Sequence, residues 1–301
     1  MKMNEVDIHA DDYGYSLHTS EDMLECMKQG KLDSISIICN TTYFERSMDL
    51  LKKTIPFLPF LPKMSIHLNL PEGDSFNKTL PLSWGKLFLS SYSFSRNKIK
   101  KDIKEELKQQ IEKCQPAIDE CIAVAKQNGI RTSQKVMRLD SHVHTHLVPV
   151  VWDALTQLIE EENYEVEYIR NPKEPLTPFL MQPALWSSFG LANIIKNRIL
   201  MFYSGKVDRY CDKHGMGKMY MWGLMMSGHM DLHRIEKIYP AMKQKAEEKG
   251  RTLEILFHPG TALKEEYSDE MNPEFFKDFN SSSNRGIEKK ALMCIGEIKD
   301  Q

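Results

Sequence analysis

Three histidines and an aspartate occur at every second position of one short segment, DSHVHTH. They are Asp140, His142, His144 and His146. If the segment is an extended strand, side-chain alternation places all four on the same face. Three imidazoles and a carboxylate in one place suit a divalent metal ion or a proton-transfer site. The alternative interpretation is an exposed histidine-rich loop that binds metal only adventitiously.

Polar residues also occur at the ends of three other segments that are predicted to be strands. They are the adjacent pair Asp11 and Asp12, then His67 in SIHLNL, and His258 in LFHPG. Taken alone, an acidic pair often caps a turn, and either histidine would more often be a hydrogen-bonded structural residue. Taken together with the histidines, the two adjacent carboxylates can have different roles, because one can face a metal while the other serves as a general base.

Alternating strands and helices are expected to position these groups. Hydrophobic periodicity predicts strands at residues 6–10, 34–39, 63–70, 136–146, 166–169 and 252–257, and helices at residues 20–30, 45–53, 99–127 and 150–161. This alternation is typical of parallel βαβ units. Parallel barrels build their active sites at the carboxyl ends of their strands. We therefore expect the four polar groups to meet at one site.

Local signals mark where some of these elements begin or are interrupted. Thr19 or Ser20 is predicted to be the N-cap of the first helix. Pro116 is expected to kink or break the longest helix. Residues 172–230 are rich in Pro, Gly, Met and aromatic residues, and are predicted to form a cap over the site or long loops. No linker or internal repeat divides the chain, so residues 1–301 are predicted to form a single domain.

Composition indicates which class of ligand and which cellular compartment to expect. The net charge of −2 gives no electrostatic reason to expect nucleic acid or a membrane surface as a partner. The six cysteines lack paired spacing, which is typical of reduced thiols in the cytosol. The sequence shows neither a signal-peptide pattern at its N-terminus nor an apolar run long enough to span a bilayer. We expect a cytoplasmic protein that acts on a small or neutral molecule.

The ordered motifs resemble those of the YdjC-like family of carbohydrate deacetylases, which includes chitooligosaccharide deacetylases. The shared features are the N-terminal ADDYG, the mid-chain HLNL, the run DSHVHTHLVP, an arginine after the next strand, and HP near the C-terminus. They cover nearly the whole chain in order. The resemblance implies an α/β fold of the distorted TIM-like (β/α) barrel type, a mechanism related to that of polysaccharide deacetylases, and a possible homodimer.

The resemblance also assigns roles to residues by matching position. Asp12, His67 and His142 would bind one divalent metal ion, Mg²⁺ or Zn²⁺. Asp11 would be the general base and His258 the general acid. These roles imply that the protein removes the acetyl group from the nitrogen of an amino sugar or short oligosaccharide and releases acetate.

Three further residues would line the sugar pocket or support the ligands from behind. They are His144, His146 and Arg170. The chain departs from the family pattern at His9, where Asn is usual, and at Ser65, where Gly is usual. These departures leave every expected ligand and acid–base group in place.

Two other classes of function are compatible with the residues alone. A metal-dependent phosphoesterase or amidohydrolase also gathers histidines and aspartates at barrel strand ends, commonly around two or three metal ions. A non-catalytic sugar-binding protein would bind its ligand without releasing acetate. The number of metal ions per chain separates the first alternative from a deacetylase, and an acetate assay separates the second.

Overall fold

Strands of four to eight residues form a parallel sheet, which is the main feature of the computed structural model. The model describes residues 6–76 and 82–295. Within these residues the strands are β1 (Val6–Tyr13), β2 (Ser34–Ile37), β3 (Lys63–Leu68), β4 (Met137–Ser141), β5 (Val166–Ile169), β6 (Met219–Trp222) and β7 (Thr252–Phe257). Their order in the sheet is β5-β4-β3-β2-β1-β7-β6, and every neighbouring pair is parallel.

Helices connect and cover these strands. They are α1 (Leu17–Lys28), α2 (Phe44–Thr54), α3 (Trp84–Ser90), α4 (Arg96–Gln127), α5 (Pro149–Glu161), α6 (Thr177–Leu180), α7 (Leu191–His214), α8 (Leu232–Glu248), α9 (Pro273–Phe275) and α10 (Asn284–Cys294). The sheet curls into a half-barrel with helices on its outside, so the predicted α/β distorted barrel is confirmed. Because all described strands are parallel, their carboxyl ends lie along one edge of the sheet.

The predicted N-cap of the first helix is wrong, and the predicted break in the longest helix does not occur. The first helix has Ser16 as its N-cap, not Thr19 or Ser20, and the Ser16 side chain accepts a hydrogen bond from the Thr19 backbone N–H. The helix begins early because the chain turns at Gly14, with φ of 88°, directly after β1. The longest helix, α4, is not broken at Pro116. Pro116 lies on its exposed side, while residues such as Ile118 on the opposite side stay buried against the core.

The predicted strand at residues 136–146 is also wrong in its second half. β4 ends at Ser141, and residues 142–147 form a 3-10 turn. Val143 and His144 adopt left-handed backbone conformations, with φ of 44° and 59°. Alternation therefore stops at the end of β4, and the four polar side chains of DSHVHTH do not share one face.

The region predicted as a cap or long loops contains more regular structure than its sequence indicates. Residues 172–230 include α6, the 24-residue helix α7 and strand β6. β6 pairs with β7 and forms one edge of the sheet. Helix α7 ends at Gly215, whose φ of 67° is the left-handed conformation that favours glycine at a helix end.

No helix among the described residues is long and apolar enough to cross a membrane.

Candidate active site

The two adjacent aspartates reach the same side of the sheet because β1 contains a bulge. Ala10 pairs with Ile35 and Tyr13 with Ile37, so β1 has one extra residue between these pairs. In a regular strand, neighbouring side chains point to opposite faces. The extra residue and the left-handed φ of 72° at Asp12 turn its carboxylate away from that alternation. Asp11 and Asp12 can therefore both contribute to one site.

Asp12 meets two histidines from other strand ends. Its Oδ1 lies 3.0 Å from Nδ1 of His142 and 3.4 Å from Nε2 of His67. Ligand atoms from all three residues lie within 4.8 Å of one another, and all three side chains are buried. Burial raises the pKa of Asp12, but the two histidines outweigh it and hold that pKa well below its usual range. The structure thus brings together the three residues expected to bind a metal.

A second carboxylate fixes the orientation of His67. Asp140 on β4 places Oδ1 2.6 Å from Nδ1 of His67, which leaves Nε2 facing Asp12. Burial lowers the pKa of His67, but Asp11 and Asp140 raise it to about 9. A carboxylate behind a histidine in this way sets the ring orientation of many metal-ligating histidines.

His142 has an acidic partner that the sequence analysis did not identify. Oε1 of Glu72 lies 2.8 Å from its Nε2, on the side of the ring away from Asp12. Glu72 also accepts a hydrogen bond from the backbone N–H of Asn272. Burial lowers the pKa of His142, and the two carboxylates together raise it to about 10. The signal for Glu72 is its place in the polar turn PEG that directly follows the HLNL motif.

Asp11 is held by a two-pronged contact with Arg170. Two guanidinium nitrogens each donate a hydrogen bond of 2.8 Å to its two carboxylate oxygens. Arg170 is fully buried and also pairs with Asp140 and Glu254. Burial raises the pKa of Asp11, but the guanidinium and nearby histidines hold it well below the usual value. Nε2 of His9 lies 3.1 Å from the same carboxylate, so a second group fixes its position.

Arg170 and His146 support the site from behind. His146 is fully buried, with Nδ1 2.6 Å from the Ser141 hydroxyl and Nε2 2.8 Å from the carbonyl oxygen of Arg170. Both ring nitrogens are therefore engaged within the protein. Neither side chain lines the pocket to which Asp11 contributes, so of the two expected roles this placement favours support.

His144 differs from His146 because it lines a cavity. Its left-handed backbone turns the ring toward a pocket that Asp11 and His258 also line, and its Nδ1 has no hydrogen-bond partner among the described residues. Burial lowers its pKa well below the usual value, so the ring is neutral. A buried, unpartnered ring nitrogen at a pocket wall is available to a ligand.

His258 lies directly after β7 and is partly open to the same pocket. Its side chain is 17% exposed, and its backbone N–H donates a 2.8 Å hydrogen bond to Glu288. The ring packs edge-on against Phe279, with 5.0 Å between centroids. Burial is the main reason that the pKa of His258 falls to about 3, which keeps the imidazole neutral.

The proton-transfer candidates and one of the predicted metal ligands line the same small pocket. Its volume is about 50 Å³, and its lining residues include Asp11, His142, His144, Lys196, His258 and Phe275. The sequence analysis did not identify Lys196 or Phe275. Lys196 lies in the region whose helix was not predicted, and burial lowers its pKa to about 8. Phe275 packs edge-on against His142, but the C-terminal segment carries no sequence signal that points to the site.

With this geometry established, comparison with known families decides the family of the chain. A model of the YdjC-like protein family matches residues 5–121 and 126–293. The chain belongs to the YdjC-like protein family. The family indicated by the ordered motifs is therefore confirmed, and the match includes every candidate site residue.

Curated relatives of this YdjC-like chain carry one name. The chain is 24% identical over 168 residues to a carbohydrate deacetylase from Xenopus laevis, and the aligned part covers 56% of this chain and 50% of that protein. It is 25% identical over 163 residues to a carbohydrate deacetylase from Brevibacillus brevis, with 54% and 58% covered. The chain spans about half the length of the curated relatives it matches.

A solved structure shares the fold of this YdjC-like chain. It is the crystal structure of a proposed cellobiose-phosphate cleavage protein from Enterococcus faecalis V583, which superposes with a TM-score of 0.53. The superposition covers 98% of this chain and 92% of that one at 15% identity. At this identity the similarity supports the distorted barrel and nothing beyond it.

Proposed function

We propose that the protein is a metal-dependent carbohydrate N-deacetylase that removes the acetyl group from an amino sugar or short oligosaccharide and releases acetate. The observation that carries this proposal is the shared pocket of Asp11, His142 and His258, directly beside the cluster of Asp12, His67 and His142. Membership of the YdjC-like family and the names of the curated relatives support the same reaction class.

The donor chemistry of the cluster fits a divalent metal ion. Asp12, His67 and His142 would hold it with one carboxylate and two imidazoles, which leaves positions open for water and substrate. Two imidazole nitrogens suit Zn²⁺ better than Mg²⁺, which prefers oxygen ligands. When bound, such an ion supplies polarisation of the acetyl carbonyl and a lower pKa for attacking water.

A single ion is favoured over the two or three ions of many phosphoesterases. His9, Asp11 and Asp140 also lie close enough together to form a metal-binding group. However, the Arg170 guanidinium already lies 2.8 Å from Asp11 and 3.0 Å from Asp140. A second cation at this place would be repelled by the buried arginine, so this group supports the first site and does not add another.

The roles of the two proton-transfer residues follow from their surroundings. Asp11 stays ionised at neutral pH, and the Arg170 contact keeps its carboxylate in one orientation, ready to take a proton from attacking water. His258 is neutral before the reaction. The proton that it gives to the departing sugar amine would therefore come from the attacking water and be passed on by Asp11. Hydrogen bonding through His144 would orient the substrate in the same pocket.

The test is acetate release from a panel of N-acetylated sugars, measured with and without a chelator. We expect release from at least one amino sugar or chitooligosaccharide, its loss after chelation, and its recovery with Zn²⁺ or Mg²⁺. If protein with bound metal releases no acetate from any of them, the proposal is wrong. A homodimer, a cytoplasmic location and a single-domain organisation stay predictions.

A further inference from the structure

A second cavity opens beside the catalytic pocket, between α7 and the residues around α3. Its volume is about 500 Å³, and its walls include Trp84, Val143, Ile195, Lys196, Ile199 and Leu200. All of these except Lys196 are apolar. We call this cavity the apolar groove.

The apolar groove is continuous with the catalytic pocket. Val143 and Lys196 line both cavities, so one wall passes from the first into the second. The catalytic pocket, at about 50 Å³, has room for only a few water-sized groups. A substrate that places its acetamido group there must leave the rest of the molecule outside. Because the two cavities share a wall, part of the substrate outside the pocket would lie in the apolar groove.

The apolar surface extends along one side of α7 beyond the groove. Ile195 is 53% exposed and Ile199 is 37% exposed. Leu191 and Phe202 continue the same side of the helix at helical spacing, with 72% and 78% exposed. Exposed apolar residues gathered in this way mark a binding surface more often than those scattered singly.

The chemistry of the groove decides between sugar and hydrocarbon as its occupant. A further sugar unit carries hydroxyl groups around its ring, and each needs a hydrogen-bond partner when it loses water. The groove offers the Lys196 ammonium at its junction with the pocket, and beyond it aliphatic side chains and the ring of Trp84. A hydrocarbon chain needs no such partners and gains from contact with these side chains.

We propose that the sugar deacetylated by this protein carries an apolar aglycone, and that this hydrocarbon chain binds along Ile195 and Ile199 in the apolar groove. The inference rests on the proposed N-deacetylase function and adds a class of substrate, the glycolipid.

The test compares N-acetylglucosaminides with methyl, hexyl and decyl aglycones, below the concentration at which they form micelles. We expect kcat/KM to rise at least about 10-fold from methyl to decyl, because each fully buried methylene contributes up to about 4-fold. Chitotriose serves as the substrate whose second and third sugars would compete for the same place. Equal values for methyl and decyl, or a preference for chitotriose, would overturn the inference while acetate release still supports the function.

Two variants locate the effect. In Ile195→Gln and Ile199→Gln we expect the ratio of decyl to methyl activity to fall several-fold. Ile287→Gln, which alters an isoleucine of α10 that is 45% exposed and outside the groove, should keep the wild-type ratio. All three side chains are exposed, so their replacement leaves the core intact. A ratio that is unchanged in the α7 variants contradicts the proposal.

A binding measurement separates failure of the inference from failure of the function. Decyl glucoside lacks the acetamido group, and its binding can be followed by titration calorimetry. Binding that weakens in Ile195→Gln, with no acetate released from any substrate, would support the groove and refute the deacetylase. Absence of decyl glucoside binding would refute the groove whether or not acetate is released.

Discussion

Asp11 owes its orientation to Arg170, which donates to both oxygens of its carboxylate at 2.8 Å. The same guanidinium contacts Asp140 and Glu254, so four buried charged groups form one network beneath the pocket. Because three carboxylates share one arginine, the network keeps a net negative charge. That charge favours a cation at the adjacent Asp12.

Replacing Asp11 with asparagine tests its role as the general base. We expect kcat to fall about 100- to 10,000-fold, because the amide cannot take a proton from water. Arg170 would keep Asp140 and Glu254 as partners, so the fold should persist. Metal content by elemental analysis should stay near that of the wild type. The matched control is Asp12→Asn, which should lose metal and activity together. Loss of metal in Asp11→Asn would show instead that Asp11 is a ligand.

Replacing Asp140 with asparagine tests the support behind His67. The 2.6 Å contact between Asp140 and His67 Nδ1 would lose its charge, and the ring would hold its orientation less firmly. We expect metal affinity to fall about 10- to 100-fold, as is typical when such a partner is removed. Competition with a chromophoric chelator measures this directly. Unchanged affinity in the folded variant would mean that Asp140 does not position His67.

The sequence motifs predict most of the site at the residue scale, because Asp12, His67 and His142 each occupy a strand end or follow one. They do not predict Glu72, Lys196 or Phe275. The alternation of side chains along β4 ends after Ser141, because the left-handed backbone of Val143 and His144 turns the chain. Backbone conformations of this kind in valine and histidine have no simple sequence signal.

One carboxylate of helix α7 is bound by basic residues that flank two strands of the sheet. Asp208 accepts two hydrogen bonds from the Arg251 guanidinium, at 2.8 and 2.7 Å, and one of 2.7 Å from Lys173. Both partners lie next to strands, Arg251 before β7 and Lys173 after β5. Since α7 carries Lys196 and the apolar groove, this attachment fixes one wall of the binding region.

Replacing Asp208 with asparagine should destabilise the protein by about 1–3 kcal/mol, because several charge-assisted hydrogen bonds are weakened. Urea unfolding followed by circular dichroism measures the change. The control is Asp212→Asn on the same helix, where an exposed pair with Lys218 should contribute less than about 1 kcal/mol. Equal effects of the two substitutions would refute a special role for Asp208.

The contribution of Asp208 should also depend on pH. Burial raises its pKa, but Arg251 and Lys173 outweigh this and lower it from the usual 3.8 to about 2. A lowered pKa means that the stabilisation is fully present above pH 3.8 and is lost as the pH falls through 2. The stability difference between the wild type and Asp208→Asn should therefore shrink across this interval. A constant difference would contradict the ion-pair explanation.

Element prediction succeeds where the hydrophobic pattern is strong. The sequence predicts β5 and β7 with the bounds that the structure has, and β2 and β3 with two residues too many. It does not predict β6, because its four residues, MYMW, include no β-branched residue and show no alternation of polar and apolar types. Helix α7 is missed because apolar and polar residues occur around its whole circumference.

The whole molecule places its acid–base groups, its candidate ligands and its apolar groove at one edge of the curled sheet. The parallel order of the strands accounts for the first two, since each strand end contributes to the same edge. The sequence predicts this architecture from the alternation of elements. It does not predict the groove, which depends on how α7 packs beside α3.

Metal binding should stabilise the folded protein as a whole. An ion that binds only the native state at 100 times its Kd contributes about 2.7 kcal/mol, which is about 4 °C in the unfolding midpoint of a protein of this size. Differential scanning fluorimetry of metal-free protein with added Zn²⁺ measures the shift. His67→Ala should show little or no shift, and a similar rise in that variant would place the ion elsewhere.

The most direct test of metal-dependent deacetylation is a titration of metal-free protein with Zn²⁺, in which acetate release is measured at each addition. We expect activity near zero without metal and a linear rise that reaches a plateau at one ion per chain. The metal site of Asp12, His67 and His142 would then account for the activity. Full activity in the metal-free protein, or a plateau only at two ions per chain, would contradict it.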